Sequence, residues 1–247
     1  MKNKKASLTT KQIIGLILLI ASFLVILYFI FILNPKPASK KILCHNSVVE
    51  KSQVISGSKG WIETPLNCQT NYICYTYTGN CDKHDASYYD EIIKVKTKDD
   101  LYKNLANEMA DCWWMFGEGK LQYVPNKWFF NSLSCSICSE IDFDSSINNS
   151  IFKSEFGFIQ KNSFFNFLLN NNLPNKDITY AKYLYDTISK RELYKQGIIS
   201  FDKSYIILTA VKSESFFSNK NYLYPTLLEK DSEEFKNMNC DHILTKG

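Results

Sequence analysis

The sequence predicts an α+β protein: one N-terminal transmembrane helix, then a disulfide-stabilised domain with a mixed or antiparallel sheet and two to four helices. Three observations predict it. A stretch of 21 residues without charge runs from Ile13 to Leu33. All eight cysteines follow this stretch. Beyond it, segments rich in β-branched and aromatic residues occur together with amphipathic helical segments, so the domain contains both kinds of element.

The apolar stretch has the length of a membrane anchor. At about 1.5 Å per residue it reaches about 30 Å, the thickness of the hydrocarbon core of a bilayer. A cleaved signal peptide has a shorter apolar region, about 7–15 residues, and a small-residue cleavage site, whereas this stretch is followed by Asn34-Pro35-Lys36-Pro37. We therefore expect an uncleaved anchor. A pilin-like leader, with Lys4-Lys5-Ala6-Ser7 before a helix, is the alternative.

The anchor divides the chain into four parts. These are a cytoplasmic tail at 1–12, the transmembrane helix at 13–33, a linker at 34–43 and an extracytoplasmic domain at 44–247. Lysines without any acidic residue precede the helix, which favours a cytoplasmic N-terminus. We expect the protein in the cell membrane, with the lipid bilayer as its first partner.

The net charge of +4 is misleading, because residues 1–43 contain seven lysines and no acidic residue. The rest of the chain contains 22 basic and 25 acidic residues, and its only arginine is Arg191. A nucleic-acid surface needs a basic stripe, so we expect no nucleic-acid partner. Arginine binds phosphates and carboxylates through bidentate hydrogen bonds, so sites of this kind are scarce as well.

The first half of the domain contains three predicted strand regions and the clearest helix. Cys44–Ile55 predicts one or two short strands, and Leu66–Thr78 and Asp90–Val95 predict further strands. The helix begins after Thr97, which forms a capping-box pattern with Asp100. Its apolar residues recur at three- and four-residue steps and predict one buried face: Leu101, Leu105, Met109, Cys112 and Phe116. Gly117 ends this helix as a left-handed cap.

The second half predicts shorter elements. They are, in order, strands at Trp128–Phe130 and Ile137–Phe143, a polar loop at Asp144–Ser150, helices at Ser163–Leu169 and Tyr180–Tyr194, a strand at Tyr205–Val211, its partner strand at Tyr222–Leu228, and a short helix at Glu233–Met238.

Several of these segments carry a resemblance. Ser7–Gln12 after the lysine-rich start, the single anchor, Asp111–Lys120 (DCWWMFGEGK) and Cys135–Asp144 (CSICSEIDFD) resemble a group of uncharacterised membrane-anchored archaeal proteins with a cysteine-rich extracytoplasmic domain. The resemblance covers most of the chain. It implies the topology, but no activity, ligand or catalytic residue.

The cysteines are the main candidate site residues, as disulfide partners. They are Cys44, Cys68, Cys74, Cys81, Cys112, Cys135, Cys138 and Cys240. An even number on one side of an anchor indicates an oxidising compartment and up to four disulfides. We predict a bond from Cys112 to Cys135 or Cys138, because a chain that folds back after the helix brings these residues beside it. The remaining cysteine of that pair then bonds to Cys240 or to one of the four N-terminal cysteines.

Cys135 and Cys138 also form a CxxC motif, which in an oxidoreductase lies at a helix N-terminus, where the thiol pKa is lowered. The residues that follow, Glu140–Asp144, alternate like a strand. We therefore favour structural disulfides, with an envelope thiol–disulfide oxidoreductase as the alternative.

Other motifs are incomplete. Zinc needs four convergent ligands, and His45, His84 and His242 are scattered. Asp142–Ser146 begins like a calcium loop, but Ile147 and Lys153 stand where glycine and glutamate are needed. We assign no metal, cofactor or catalytic residue. Asn148-Asn149-Ser150 is a glycosylation sequon in the predicted loop.

The sequence therefore predicts a single-pass membrane protein whose domain is a binding or structural module of the cell envelope. Its many aromatic residues and few arginines suit a packed core with some exposed tyrosine or phenylalanine contact area. We expect an envelope protein or glycan as the partner. The alternatives are the oxidoreductase and a pilin-like filament subunit.

Overall fold

The computed structural model describes residues 10–32, 38–57, 65–124, 132–150, 157–185, 197–213 and 221–246. The chain forms two units, Met1–Ser39 and Lys40–Gly247. The first contains helix α1, Thr10–Ile32, whose segment Lys11–Tyr28 has a mean hydropathy of 2.2 and no buried residue. By length and composition α1 can cross a membrane. A signal sequence near an N-terminus has the same properties. Residues 1–9 lie outside the described residues, so the pilin-like alternative stays a prediction.

Helix α2, Ala38–Gly57, begins inside the predicted linker 34–43. The prediction of strands over Cys44–Ile55 is wrong. Cys44, Val48 and Ser52 are 2%, 0% and 6% exposed at four-residue steps, so they form the buried stripe of a helix. The β-branched pairs in this segment favour a strand by propensity, but packing against the core outweighs that weak preference.

The described part of the domain contains eight strands in two sheets. They are β1 Asn71–Thr76, β2 Glu91–Lys94, β3 Ser132–Phe143, β4 Phe158–Gln160, β5 Ile198–Ser200, β6 Tyr205–Ser213, β7 Asn221–Glu229 and β8 His242–Ile243. The main sheet has the order β2-β1-β3-β6-β7. Strand β1 is parallel to β2 and β3, whereas β3, β6 and β7 are successively antiparallel. The sheet is therefore mixed, which is one of the two arrangements predicted, and the α+β class is confirmed.

Two short pieces complete this arrangement. Strand β8 runs parallel to the N-terminal half of β3. It pairs with the same edge of β3 that pairs with β1 in the C-terminal half. Strands β4 and β5 form a separate antiparallel pair. The strand predicted at Trp128–Phe130 lies outside the described residues.

The described part of the domain has six α-helices, more than the two to four predicted. After α2 they are α3 Lys98–Met115, α4 Ser145–Ser150, α5 Lys161–Asn170, α6 Tyr180–Tyr185 and α7 Glu233–Asn237. A short 3-10 helix spans Ala86–Tyr88. The helix predicted at Tyr180–Tyr194 is described as far as Tyr185. The rest of that prediction lies outside the described residues.

Helix α4 replaces the polar loop predicted at Asp144–Ser150, so that prediction is wrong. The carboxylate of Asp144 accepts a hydrogen bond from the backbone N–H of Ser146 at 3.0 Å, which satisfies a free donor at the helix start. The fully buried Ile147 then fixes the turn against the core.

Helix α3 confirms the prediction from periodicity. Thr97 forms a complete capping box with Asp100, and Leu101 and Leu105 are fully buried. The helix packs on one face of the sheet against β3, β6 and β7, and α5 and α6 pack beside it. On the opposite face Ile206, Leu208 and Leu228 form a smaller cluster.

Four disulfides join these elements. They are Cys44–Cys68, Cys74–Cys81, Cys112–Cys138 and Cys135–Cys240. Cys112 thus bonds to one of the two predicted partners, and α3 is linked to the central strand β3. The other CxxC cysteine holds the C-terminal segment against the same strand.

A buried ion pair joins α2 to α3. The ammonium group of Lys41 donates to Glu108 at 2.6 Å and to Asp111 at 2.7 Å, and Ser139 on β3 donates to Glu108 at 3.0 Å. Burial opposes the charge of Lys41, but its two carboxylate partners raise its pKa. Glu108 lies deeper and shares its one lysine, so burial raises the pKa of this carboxyl. Lys41 therefore fixes the start of α2 to α3 within the second unit.

Candidate functional site

The CxxC cysteines are not arranged for thiol–disulfide exchange. Cys135 and Cys138 are 0% and 1% exposed, lie within strand β3, and bond to different partners, Cys240 and Cys112. A redox-active pair bonds to itself and exposes one thiolate at a helix N-terminus. The geometry disagrees with the oxidoreductase alternative on each of these points.

The three histidines lie in different surroundings. The ring of His45 stacks on Trp114 with centroids 4.0 Å apart, His84 lies 3.9 Å from the carboxylate of Asp142, and His242 is exposed in β8. Within the described ranges, no three His, Cys, Asp or Glu side chains are grouped to hold a metal ion. Asn148 is exposed in α4, and its glycosylation stays a prediction.

A charged cleft of about 330 Å³ lies beside the C-terminal half of β3. Asp142, whose side chain is 1% exposed, accepts hydrogen bonds from Tyr89 at 3.0 Å and from Ser204 at 2.5 Å. Its neighbour Glu140 accepts from Lys230 at 2.6 Å. Lys203 likewise lies 3.3 Å from Glu229. Lys230 and Lys203 thus offset Glu140 and Glu229, whereas Asp202 and Asp231 leave the cleft with more acidic than basic groups.

An apolar cavity of about 190 Å³ lies between α3, α5 and β7. Phe164, Phe165 and Leu168 of α5 line it together with Met109 of α3. These side chains belong to the main hydrophobic core, and Lys161, Tyr185, Thr226 and Glu234 also line the cavity.

The strongest candidate is a pocket of about 470 Å³ that we call the aromatic–lysine pocket. It lies where the turn after α3 meets α6 and β7. Its residues are Trp113, Glu118, Lys120, Lys176, Ile178, Lys182, Tyr183 and Tyr224. Three aromatic rings, three ammonium groups and one carboxylate thus surround one cavity.

The aromatic rings support each other from the core side. Trp113 is 6% exposed, and its ring centroid lies 5.2 Å from that of Tyr224. Tyr185 packs edge-on against Tyr224, at 6.0 Å between centroids, and donates a hydrogen bond to the carbonyl oxygen of Pro225. Tyr224 is therefore held between two packed rings and is half-buried at the pocket.

The rim of the pocket is a left-handed turn. Gly117, Glu118 and Gly119 have φ angles of 77°, 54° and 69°. A side chain at Gly119 would place its Cβ 3.0 Å from the ring of Trp113, so only glycine lets the turn approach this ring. A non-glycine residue in this conformation costs on the order of 1–3 kcal/mol and persists only where the surroundings hold it.

Two hydrogen bonds hold Glu118 in place. Its carboxylate accepts from Lys120 at 2.6 Å and from the hydroxyl of Tyr183 at 2.7 Å. Burial opposes the charged form of Glu118, but these bonds outweigh it and lower the pKa of the carboxyl. For Tyr183, burial and the neighbouring carboxylate both raise the pKa of the hydroxyl. Glu118 is therefore an anion and Tyr183 a neutral donor near pH 7.

The other two lysines of the pocket have no carboxylate partner in the part of the chain that the structure describes. The ammonium group of Lys176 lies 4.6 Å from the centroid of the Tyr183 ring. Lys182 is exposed on α6. Because Glu118 offsets only one of the three lysines, the pocket has a local excess of positive charge.

The sequence analysis missed this pocket. The sequence predicts Gly117 only as the cap of the preceding helix, although the turn that begins there also forms the pocket rim. The other contributors come from α6 and β7, about 60 and 105 residues farther along the chain. The only sequence signal for the pocket is the pair of lysines, Lys176 and Lys182, near the predicted helix Tyr180–Tyr194, and this signal is weak.

Comparisons of the chain with known protein families, with curated proteins and with solved structures found no match. The function is therefore inferred from the geometry.

Proposed function

We propose that the chain is a membrane-anchored binding module of the cell envelope, and that its extracytoplasmic domain binds an envelope glycan in the aromatic–lysine pocket. The apolar helix α1 supports the anchor, and four disulfides support an oxidising surrounding for the domain. With the N-terminus in the cytoplasm, the lysines of the tail would lie on the side that the positive-inside rule favours.

The aromatic–lysine pocket carries the proposal. Its volume of about 470 Å³ falls within the range of about 300–1,000 Å³ that is typical of small-ligand pockets. Aromatic faces with a few fixed polar groups are also the usual lining of such sites. Glu118 is fixed by two hydrogen bonds in a strained turn, which is typical of a residue held for binding.

A sugar ring fits this combination of groups. The face of an aromatic ring is electron-rich, so it attracts the weakly positive C–H groups on one face of a pyranose. The hydroxyl groups at the edge of the sugar need both donors and acceptors, which the lysines and Glu118 supply. The net negative charge of residues 44–247 makes nucleic acid a poor ligand for the domain.

Binding to polysaccharides tests the proposal. The full chain, reconstituted in nanodiscs of phosphatidylcholine, is titrated with a panel of soluble neutral and acidic polysaccharides by isothermal calorimetry. We expect at least one to bind, and Tyr224→Ala to abolish that binding because it removes a ring of the pocket. Tyr77→Ala, which truncates an exposed tyrosine at the end of β1, should bind like the wild type.

Two results would contradict the proposal. Either no polysaccharide of the panel binds, or Tyr224→Ala binds as tightly as the wild type while its thermal unfolding is unchanged.

A further inference from the structure

We infer that the ligand of the aromatic–lysine pocket is an acidic saccharide, whose anionic groups are bound by Lys176 and Lys182. This inference rests on the proposed function and names the chemical class of its ligand. The geometry of the lysines carries it.

The three lysines of the pocket are not equivalent. Lys120 is engaged by Glu118 at 2.6 Å, so its charge is locally offset. Lys176 and Lys182 form no ion pair within the described ranges, although Lys176 lies near enough to favour the anionic form of Glu118. Two cations thus remain for a ligand.

The position of Lys176 leaves its donors available. Its ammonium group lies over the ring of Tyr183 at 4.6 Å, in a cation–π contact. Such a contact orients the side chain without using an N–H donor on a carboxylate. The ring in turn is held by the bond from its hydroxyl to Glu118. Lys176 thus lies at the pocket against an aromatic face, and its ammonium group has three N–H donors.

Glu118 links the aromatic and the charged parts of the pocket. It accepts from the Tyr183 hydroxyl on one side and from Lys120 on the other. An acidic saccharide would place its ring against the half-buried ring of Tyr224 and its anionic group toward Lys176 and Lys182, away from Glu118. A neutral saccharide would leave both lysines without an anion.

Lysine recognises charge more than shape, because its ammonium group is a compact point charge, whereas arginine matches the planar carboxylate with two parallel bonds. The described residues contain no arginine. The site therefore selects an anionic group and tolerates either a carboxylate or a sulfate on the sugar.

The test compares pairs of ligands that share a sugar backbone and differ in charge. The full chain in phosphatidylcholine nanodiscs is titrated with polygalacturonate and with its fully methyl-esterified form, which has the same backbone without the charges. Dextran sulfate and neutral dextran form a second pair, which separates sulfate from carboxylate. We expect the wild type to bind the anionic member of at least one pair roughly tenfold more tightly, since charge-assisted hydrogen bonds have this magnitude.

A matched pair of variants locates the preference. Lys176→Ala/Lys182→Ala should remove the preference for the anionic ligand. Lys94→Ala/Lys103→Ala removes the same charge from exposed positions outside the pocket and should keep it. Raising the salt concentration should weaken the preference of the wild type, because screening acts on exposed charges.

The outcomes separate the two claims. Equal affinity for the charged and uncharged forms, with both lost in Tyr224→Ala, overturns the acidic ligand and leaves the glycan-binding proposal standing. Failure of every polysaccharide to bind overturns the proposed function. A third outcome is that the chain binds no saccharide and binds only added nanodiscs that contain phosphatidylglycerol. If Lys176→Ala/Lys182→Ala abolishes that binding, the lysines recognise an anionic lipid surface and this inference is overturned.

Discussion

Replacing Lys41 by methionine tests the buried ion pair between α2 and α3. The substitution keeps most of the apolar side chain and removes the charge that faces Glu108 and Asp111. Asp111 is 45% exposed at its side chain and can turn to water, but Glu108 is only 8% exposed. The variant therefore leaves one carboxylate buried with Ser139 as its remaining partner.

The expected cost is large because an uncompensated buried charge is unfavourable. Breaking a buried pair by removing one partner costs about 3–5 kcal/mol. For a domain of this size, this corresponds to a fall in Tm of about 6–20 °C. The adjacent Lys40 provides a matched control, since its pair with Asp90 is 40% and 27% exposed. Lys40→Met should cost less than about 1 kcal/mol.

The assay is thermal unfolding of the full chain in detergent micelles, followed by tryptophan fluorescence. The double variant Lys41→Met/Glu108→Gln should recover most of the lost stability, because it removes the buried charge as well. If Lys41→Met and Lys40→Met unfold at the same temperature, the ion pair contributes nothing and the assignment of α2 to the core is wrong.

The pH dependence gives a second readout of the same pair. The pKa of Glu108 is raised in the folded state. A group of this kind contributes stability that is complete below its unfolded pKa and is lost as the pH rises through its folded pKa. Without Lys41 that folded pKa should rise further. The difference between Lys41→Met and the wild type should therefore shrink as the solution is acidified, and a constant difference would contradict the mechanism.

Three further predictions concern the fold. Leu105→Asp should prevent folding because it places an unpaired charge in the core, whereas Lys103→Asp on the exposed face of α3 should be mild, and equal stability of the two would refute the helix face. Thr97→Ala removes the capping box and should cost about 1 kcal/mol in urea unfolding; no change would contradict its role. Cys135→Ser/Cys240→Ser opens a link across 105 positions and should cost about 4–5 kcal/mol in the chain-entropy model, while a Cys135–Cys138 bond in a non-reducing peptide map of the wild type would contradict the pairing.

The elements that the sequence predicted well are those in which local signals agree with packing. In α3, the capping box and the apolar period identify the same helix, and both its start and its buried face are confirmed. Strands β6 and β7 are likewise rich in β-forming residues, and the structure pairs them as predicted.

The errors arise where a distant contact decides the structure. Helix α2 contains β-branched residues, but Cys44 is tied to Cys68 and Val48 is fully buried, which favours a helical stripe on the core. Helix α4 consists of serine and asparagine around Ile147, a composition typical of loops, and depends on its contact with Asp144. Neither contact can be inferred from the local propensity of the residues.

The aromatic–lysine pocket could not be predicted for a related reason. Its residues come from three segments that the fold of the chain brings together, and none of these segments carries a binding motif of its own. Tyr224 has the pattern of an ordinary strand residue, and Lys176 that of a polar loop residue. Only the three-dimensional structure shows that these aromatic rings and ammonium groups share one cavity.

Protease accessibility in intact cells tests the central claim, that the disulfide-bonded domain is anchored to the membrane and lies outside the cytoplasm. Cells that express the full chain with an N-terminal tag are treated with proteinase K before and after lysis. We predict that treatment of intact cells removes residues 44–247 and leaves a short, tagged, membrane-bound fragment. A domain that stays protected in intact cells, and is digested only after lysis, would contradict the account.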